Sequence, residues 1–160
     1  MTKRDLVVKI AKETDLICVS GDLGAAYMGL QLLEREKAVF EGEEEANPDF
    51  TGKEYLLERQ LKPEARKDII EILAKENIHP TSMMDISDGM ASHMEHIINS
   101  SKKSVVLVKT AIPIAKGATL NEALCCGEDY ELLLTVDGCK AEELALRFED
   151  KFGKPLYNLE

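Results

Sequence analysis

An α/β (α+β) fold, a mixed β-sheet with helices packed on it, is predicted by three features of the sequence. Short apolar runs such as DLICVS (15 to 20) and YELLLTV (130 to 136) have the length and the β-branched or large apolar content of buried strands. Between them lie longer stretches in which apolar residues recur every three or four positions, as Ile69, Ile72 and Leu73 do, which is the spacing of one helix face. The two kinds of segment alternate along the chain without a visible repeat, and alternation of that sort builds a sheet covered by helices.

The composition bounds the rest. With 160 residues, 44% of them hydrophobic, the chain can bury a sizeable core as one domain. Thirty acidic against twenty basic residues give a formal charge of −10, which repels nucleic-acid phosphates, so no nucleic acid is expected as a partner. No apolar run is long enough to span a bilayer, and the opening MTKRDLVVKIAKETD is too charged for a secretory leader, so no membrane partner is expected either. The four cysteines, Cys18, Cys125, Cys126 and Cys139, lie among apolar residues without a CxxC pair and read as reduced core thiols of a cytoplasmic protein.

Taken in order, DLICVS is a strand stopped by Gly21. The following GDLGAAYMGLQLLEREK turns tightly and becomes a helix with a wide apolar face from Ala25 to Leu33. The acidic, glycine- and proline-containing stretch 41 to 52 reads as a solvated loop. Pro63 can open a helix, because the first turn has no use for the missing N–H, and that helix should end near Asn77 to Pro80. TSMMDIS is a strand feeding a helix with Met90, Met94, Ile97 and Ile98 on one stripe. SVVLVK (104 to 109) and YELLLTV are two more strands, with a short helix near Thr119 to Leu124 and a longer one from Ala141 to Phe152. A further strand begins at KPLYNL, just where the chain ends.

Several groups can do chemistry. DISDG places Asp85, Ser87 and Asp88 where a strand meets a helix start. Either Ser87 or Asp88 caps the free amides, for about 1 kcal/mol, or the two acids gather a hard cation such as Mg²⁺, which takes one or two carboxylates plus water and phosphate. GDLG offers Gly21 and Gly24 either as an ordinary tight turn or as amides for a phosphate at a helix start. In CCGEDYELLL, Glu128 and Asp129 stand at a strand mouth, either ending a loop or meeting a ligand. The HMEH run lacks HExxH spacing, so His93 and His96 read as a solvated helix face. Of Arg59, Lys62 and Arg66, at least two read as surface ion-pairing residues.

The order of these blocks carries more than any one of them. SGDLGAAYMGLQLLEREK, then ERQLKPEAR, then PTSMMDISDGMASHMEHI, then GEDYELLLT closely resembles thiamine-monophosphate kinase, of the superfamily that includes aminoimidazole ribonucleotide synthetase, from about Asp15 to Val136. The resemblance implies the fold of that superfamily's C-terminal domain and an enzyme that transfers the γ-phosphoryl group of ATP to thiamine monophosphate, using Mg²⁺. It implies that Asp85 and Asp88 hold Mg²⁺, that Ser87 contacts the ATP phosphates and that Glu128 binds the thiamine substrate. The chain departs from the family in two places: the family's Arg-x-Gly-Ala-Lys falls on Val8, Lys9, Ile10, Ala11 and Lys12, and Cys126 stands for a usual glycine.

The resemblance also sets expectations for the whole. Residues 1 to 160 are expected to form a single C-terminal-type domain of a longer kinase, with 1 to 20 the connection from an N-terminal domain that carries its own Mg²⁺ and nucleotide motif. Alone the chain is expected to be inactive, and the full-length protein to be a homodimer. Two other readings remain, a superfamily relative with a different acceptor and a ligand-binding module without catalysis.

Overall fold

The structure of the protein is a computed structural model that describes residues 11–42, 48–153 and 155–159. Four strands, β1 (Asp15–Val19), β2 (Ser82–Asp85), β3 (Leu132–Asp137) and β4 (Tyr157–Asn158), form one sheet in the order β2-β3-β1-β4. Each neighbouring pair is antiparallel, β1 with β3 from Asp15↔Asp137 to Val19↔Leu133 and β2 with β3 from Ser82↔Thr135 to Asp85↔Leu132. A parallel bridge, Leu23↔Ile114, stands outside the strands. The helices are α1 (Ala25–Gly42), α2 (Glu54–Leu61), α3 (Lys67–Lys75), α4 (Met90–Ser101), α5 (Leu120–Cys125) and α6 (Gly138–Phe152).

The core divides between the two faces of the sheet because successive side chains on a strand point to opposite sides. On one face Ile17, Val19 and Leu133 pack with Met90, Met94 and Ile97 of α4 and Ala123 of α5. On the other, Cys18, Leu132, Leu134 and Val136 meet Ile69, Ile72 and Leu73 of α3 and Leu144 and Phe148 of α6. An inner strand covered on both faces must be apolar almost throughout, and β3 is. Its one buried polar residue, Thr135, is 1% exposed and spends its hydroxyl on those of Thr81 at 2.8 Å and Ser82 at 2.6 Å, while Asp137 ends the strand in solvent. Helix α1 lies so close on α2 that a methyl group on Gly29 would stand 2.2 Å from the Leu56 carbonyl oxygen.

The strands at 15, 82 and 157 and the helices at 25, 90 and 120 fall where the periodicity puts them. Four expectations are corrected. SVVLVK forms no strand: Val108 N–H donates to Leu159 O at 2.9 Å, but Val106 is 81% exposed and the segment runs into a 3₁₀ turn at Lys109–Ala111. Its β-branched residues favour a pleated, half-buried surface, and no neighbouring strand offers one. Pro63 opens no helix, since it links α2, which the apolar spacing did not reveal, to α3, which starts at Lys67. Of the cysteines only Cys18 is in the core, whereas Cys125 and Cys139 are exposed, and no disulfide joins the four. Arg59 and Arg66 are not surface pairs but half-bury themselves on Glu131. The loop at 41 to 52 is described only from 48 onward, after α1 has run to Gly42, and Val8, Lys9 and Ile10 lie outside the described residues. No helix among the described residues is long and apolar enough to cross a membrane.

Candidate functional site

The sheet brings DISDG and GEDYE together at one end. Strand β2 ends at Asp85, opposite the first residue of β3. Beyond that pair the two chains continue side by side: Ile86 N–H donates to Glu131 O at 2.8 Å, Tyr130 N–H to Ile86 O at 2.9 Å and Glu128 N–H to Ser87 O at 2.8 Å. Residues separated by about forty positions thus become neighbours through three backbone hydrogen bonds. Gly127 is needed for the approach, because a methyl group there would be 2.1 Å from the Ser87 carbonyl oxygen.

Glu128 and Tyr130 both take left-handed backbone conformations, with φ of 70° and 52°, which residues bearing a Cβ rarely adopt and which cluster at functional sites. The Tyr130 phenol donates to Glu128 Oε2 at 3.0 Å. That bond, with the charge of Glu128, some burial and then the charges of Asp85 and Asp88, holds the phenol above its ordinary pKa. Asp85 and Asp88 are exposed, and Ser87 is half-buried between them.

Helix capping does not account for this group. The N-cap position of α4 is Gly89, which has no side chain to cap with, and the Ser87 hydroxyl lies 3.3 Å from Asp88 Oδ2 and 3.4 Å from His93 Nε2. Two exposed carboxylates a turn before a helix start, where the amide dipoles leave partial positive charge, still lack a counter-cation among the described residues. No three or more His, Cys, Asp or Glu side chains among the described residues form a ready metal cage. The arrangement can therefore supply part of a coordination shell and leave the remainder to water and phosphate.

The other sequence candidates fall around this centre. Gly24 N–H donates to Asp129 Oδ2 at 2.7 Å and Ala26 N–H to Oδ1 at 3.2 Å, so the anion at the start of α1 is a carboxylate of the protein itself. Burial pushes the Asp129 carboxyl up, against these two amides. A methyl group on Gly21 would be 2.5 Å from the Glu131 carboxyl carbon. His93 is buried, and His96 is exposed.

Sequence reasoning missed the strut beneath the site. Glu131, with its side chain 5% exposed, binds Arg59 from α2 at 2.9 Å, Arg66 from the start of α3, and the Ser20 hydroxyl at 2.5 Å. Arg59 also donates to Asp129 O at 2.6 Å, and Arg66 to Ser20 O at 3.0 Å. Beside them opens a cavity of about 530 Å³ lined by Asp22, Tyr55, Glu64 and Tyr157 as well. Nothing local marks Glu131 as buried, because its partners lie 65 to 111 residues away.

No protein-family model matches the chain. It is 36% identical over 152 residues to the thiamine-monophosphate kinase of Buchnera aphidicola subsp. Schizaphis graminum, covering 90% of this chain and 44% of that protein. Its fold is similar to that of the crystal structure of thiamine-monophosphate kinase from Stenotrophomonas maltophilia, with a TM-score of 0.75 at 24% identity, over 94% of this chain and 48% of that one. A solved protein named AaThiL, complexed with AMPPCP and TMP, is 26% identical with a TM-score of 0.67, over 94% of this chain and 45% of that one. The chain thus spans about half the length of the relatives it matches.

Proposed function

We propose that this chain, a relative of the thiamine-monophosphate kinases, supplies one side of a composite site that transfers the γ-phosphoryl group of ATP to thiamine monophosphate, giving thiamine diphosphate. The observation that carries the reading is the meeting of the DISDG segment with Glu128 at one sheet end, through backbone bonds that join Ile86 and Ser87 to Glu128, Tyr130 and Glu131. Phosphoryl transfer asks for little covalent help and for much charge neutralisation and alignment.

In this reading Asp85 and Asp88 hold Mg²⁺ together with phosphate oxygens and water, which suits two exposed carboxylates better than a closed protein cage. The metal supplies charge neutralisation between phosphate groups when bound. Ser87 contacts the nucleotide phosphates, and Glu128, held by the Tyr130 phenol, meets the thiamine substrate. The complex named with AMPPCP, an ATP analogue, and TMP supports that pair of ligands for the relative, and by proposal for the full-length protein here.

The test is a chromatographic assay of the full-length protein with ATP, Mg²⁺ and thiamine monophosphate, run beside other phosphorylated acceptors. Magnesium-dependent formation of thiamine diphosphate and ADP is expected. ATP turnover with another acceptor alone, or none with any, would overturn the reading.

A further inference from the structure

His93 has no role in the proposed reaction, yet it is 6% exposed on the buried face of α4, beside Met90, Met94 and Ile97. A buried imidazole is costly unless its nitrogens are bonded, and each nitrogen of His93 has a partner at the site. Nδ1 lies 2.9 Å from the Gly89 carbonyl oxygen. A carbonyl only accepts, so Nδ1 carries the proton and donates it there. In the neutral ring Nε2 is then a bare acceptor, and it faces the Ser87 hydroxyl at 3.4 Å.

We propose that His93 is a positioning residue, which fixes the direction of the Ser87 hydroxyl before the nucleotide arrives. The proposal rests on the reading of Ser87 as a nucleotide contact. Gly89 is the N-cap residue of α4, and its carbonyl accepts from both the His93 ring and the His93 backbone N–H, at 2.9 and 3.3 Å, so the imidazole ties residue 87 to the helix start. A hydroxyl otherwise rotates freely, and ordering it in advance removes a cost from ligand binding. Among the described residues the Ser87 hydroxyl also reaches Asp88 Oδ2, at 3.3 Å, and a carboxylate engaged with a cation would compete poorly for that proton.

Two amide substitutions separate the nitrogens. His93→Asn keeps a donor near the Nδ1 position and withdraws the acceptor, whereas His93→Gln reaches the Nε2 position with a carbonyl oxygen. In the full-length protein, binding of AMPPCP with Mg²⁺ and binding of thiamine monophosphate are measured separately by calorimetry for both variants, for Ser87→Ala and for Ser87→Ala combined with His93→Asn. His93→Asn is expected to weaken AMPPCP binding about three- to tenfold, the range of one net hydrogen bond, with thiamine monophosphate binding unmoved. His93→Gln should stay within about twofold of the parent, and His93→Asn should add nothing to Ser87→Ala, as coupled neighbours do.

Equal losses in the two amide variants, a parallel loss for both ligands, or full additivity with Ser87→Ala would overturn the positioning role, since each is what simple loss of packing gives. A parent protein that binds AMPPCP and makes thiamine diphosphate confines such a failure to His93. A parent that does neither brings down the kinase reading and this inference with it.

Discussion

Glu131→Gln tests the strut that holds the site's floor. The substitution preserves shape and removes the charge, leaving Arg59 and Arg66, whose side chains are 15% and 17% exposed, without their shared carboxylate. Both carboxylate oxygens are in use, one toward Arg59 and the other toward Arg66 and Ser20. An amide nitrogen would therefore face at least one guanidinium donor. Breaking a buried pair by removing one partner costs about 3–5 kcal/mol, and the low end applies because Arg66 keeps Asp68 at 3.1 Å. A loss of about 3 kcal/mol in a chain of this length lowers Tm by roughly 6–12 °C. Thermal unfolding followed by circular dichroism, with urea titration for the free energy, measures it. A fall of less than about 2 °C, under 1 kcal/mol, would mean that the arginines find water or other partners, and the reasoning fails.

Three further predictions concern the site itself. Gly127→Ala drives a methyl group against the Ser87 carbonyl oxygen, so the chains at 86 to 88 and 127 to 130 must part; a loss of about 1–3 kcal/mol is expected, with faster amide exchange at Glu128, and unchanged exchange would contradict the close approach. The Tyr130 phenol is raised first by its bond to Glu128, so the neutral form is favoured in the fold and the stabilisation is complete below the ordinary phenol range near pH 10 and lost as pH rises through the folded value. Glu128→Gln should bring that titration down, as read from the Tyr130 ring carbon by NMR, and an unmoved titration would mean the bond is absent. In the full-length protein Asp88→Asn should reduce turnover by about a hundredfold, the scale of one lost electrostatic contact to transferring phosphate, and normal turnover at ordinary Mg²⁺ would remove Asp88 from the metal site.

Sequence and structure agree where the signal is local. The run 130 to 136 reads as a buried strand from its large apolar residues, and the structure has one there at Leu132–Asp137, an inner strand covered on both faces. The stripe Met90, Met94 and Ile97 reads as the buried side of α4 for the same reason of spacing, and it is buried. The stretch 104 to 109 misleads because β-branched residues record a preference for a surface that the neighbouring chain must provide. Helix α2 is hidden because it buries no residue fully, and its place on α1 depends on the absence of a side chain at Gly29 rather than on a stripe of its own.

For the site, DISDG and GEDYE are visible in the sequence as groups of unusual residues at strand ends, and their order along the chain carries the family likeness. Their meeting is not visible. It depends on antiparallel pairing of β2 with β3, and residues about forty positions apart carry no mark of that partnership. The same holds for His93, which the sequence places on a solvated face and the fold turns inward onto Gly89 and Ser87. It holds for Arg59, Arg66 and Glu131, three ordinary charges until the sheet buries one of them. The strands at 15, 82 and 157 and the helices at 25, 90 and 120 were determined by the sequence alone, because period and turn chemistry act over a few residues. Which charges pair, which histidine is buried and which acids share a site was decided by the tertiary structure, because burial and Coulomb attraction depend on distance through space, and only the packed sheet sets that distance.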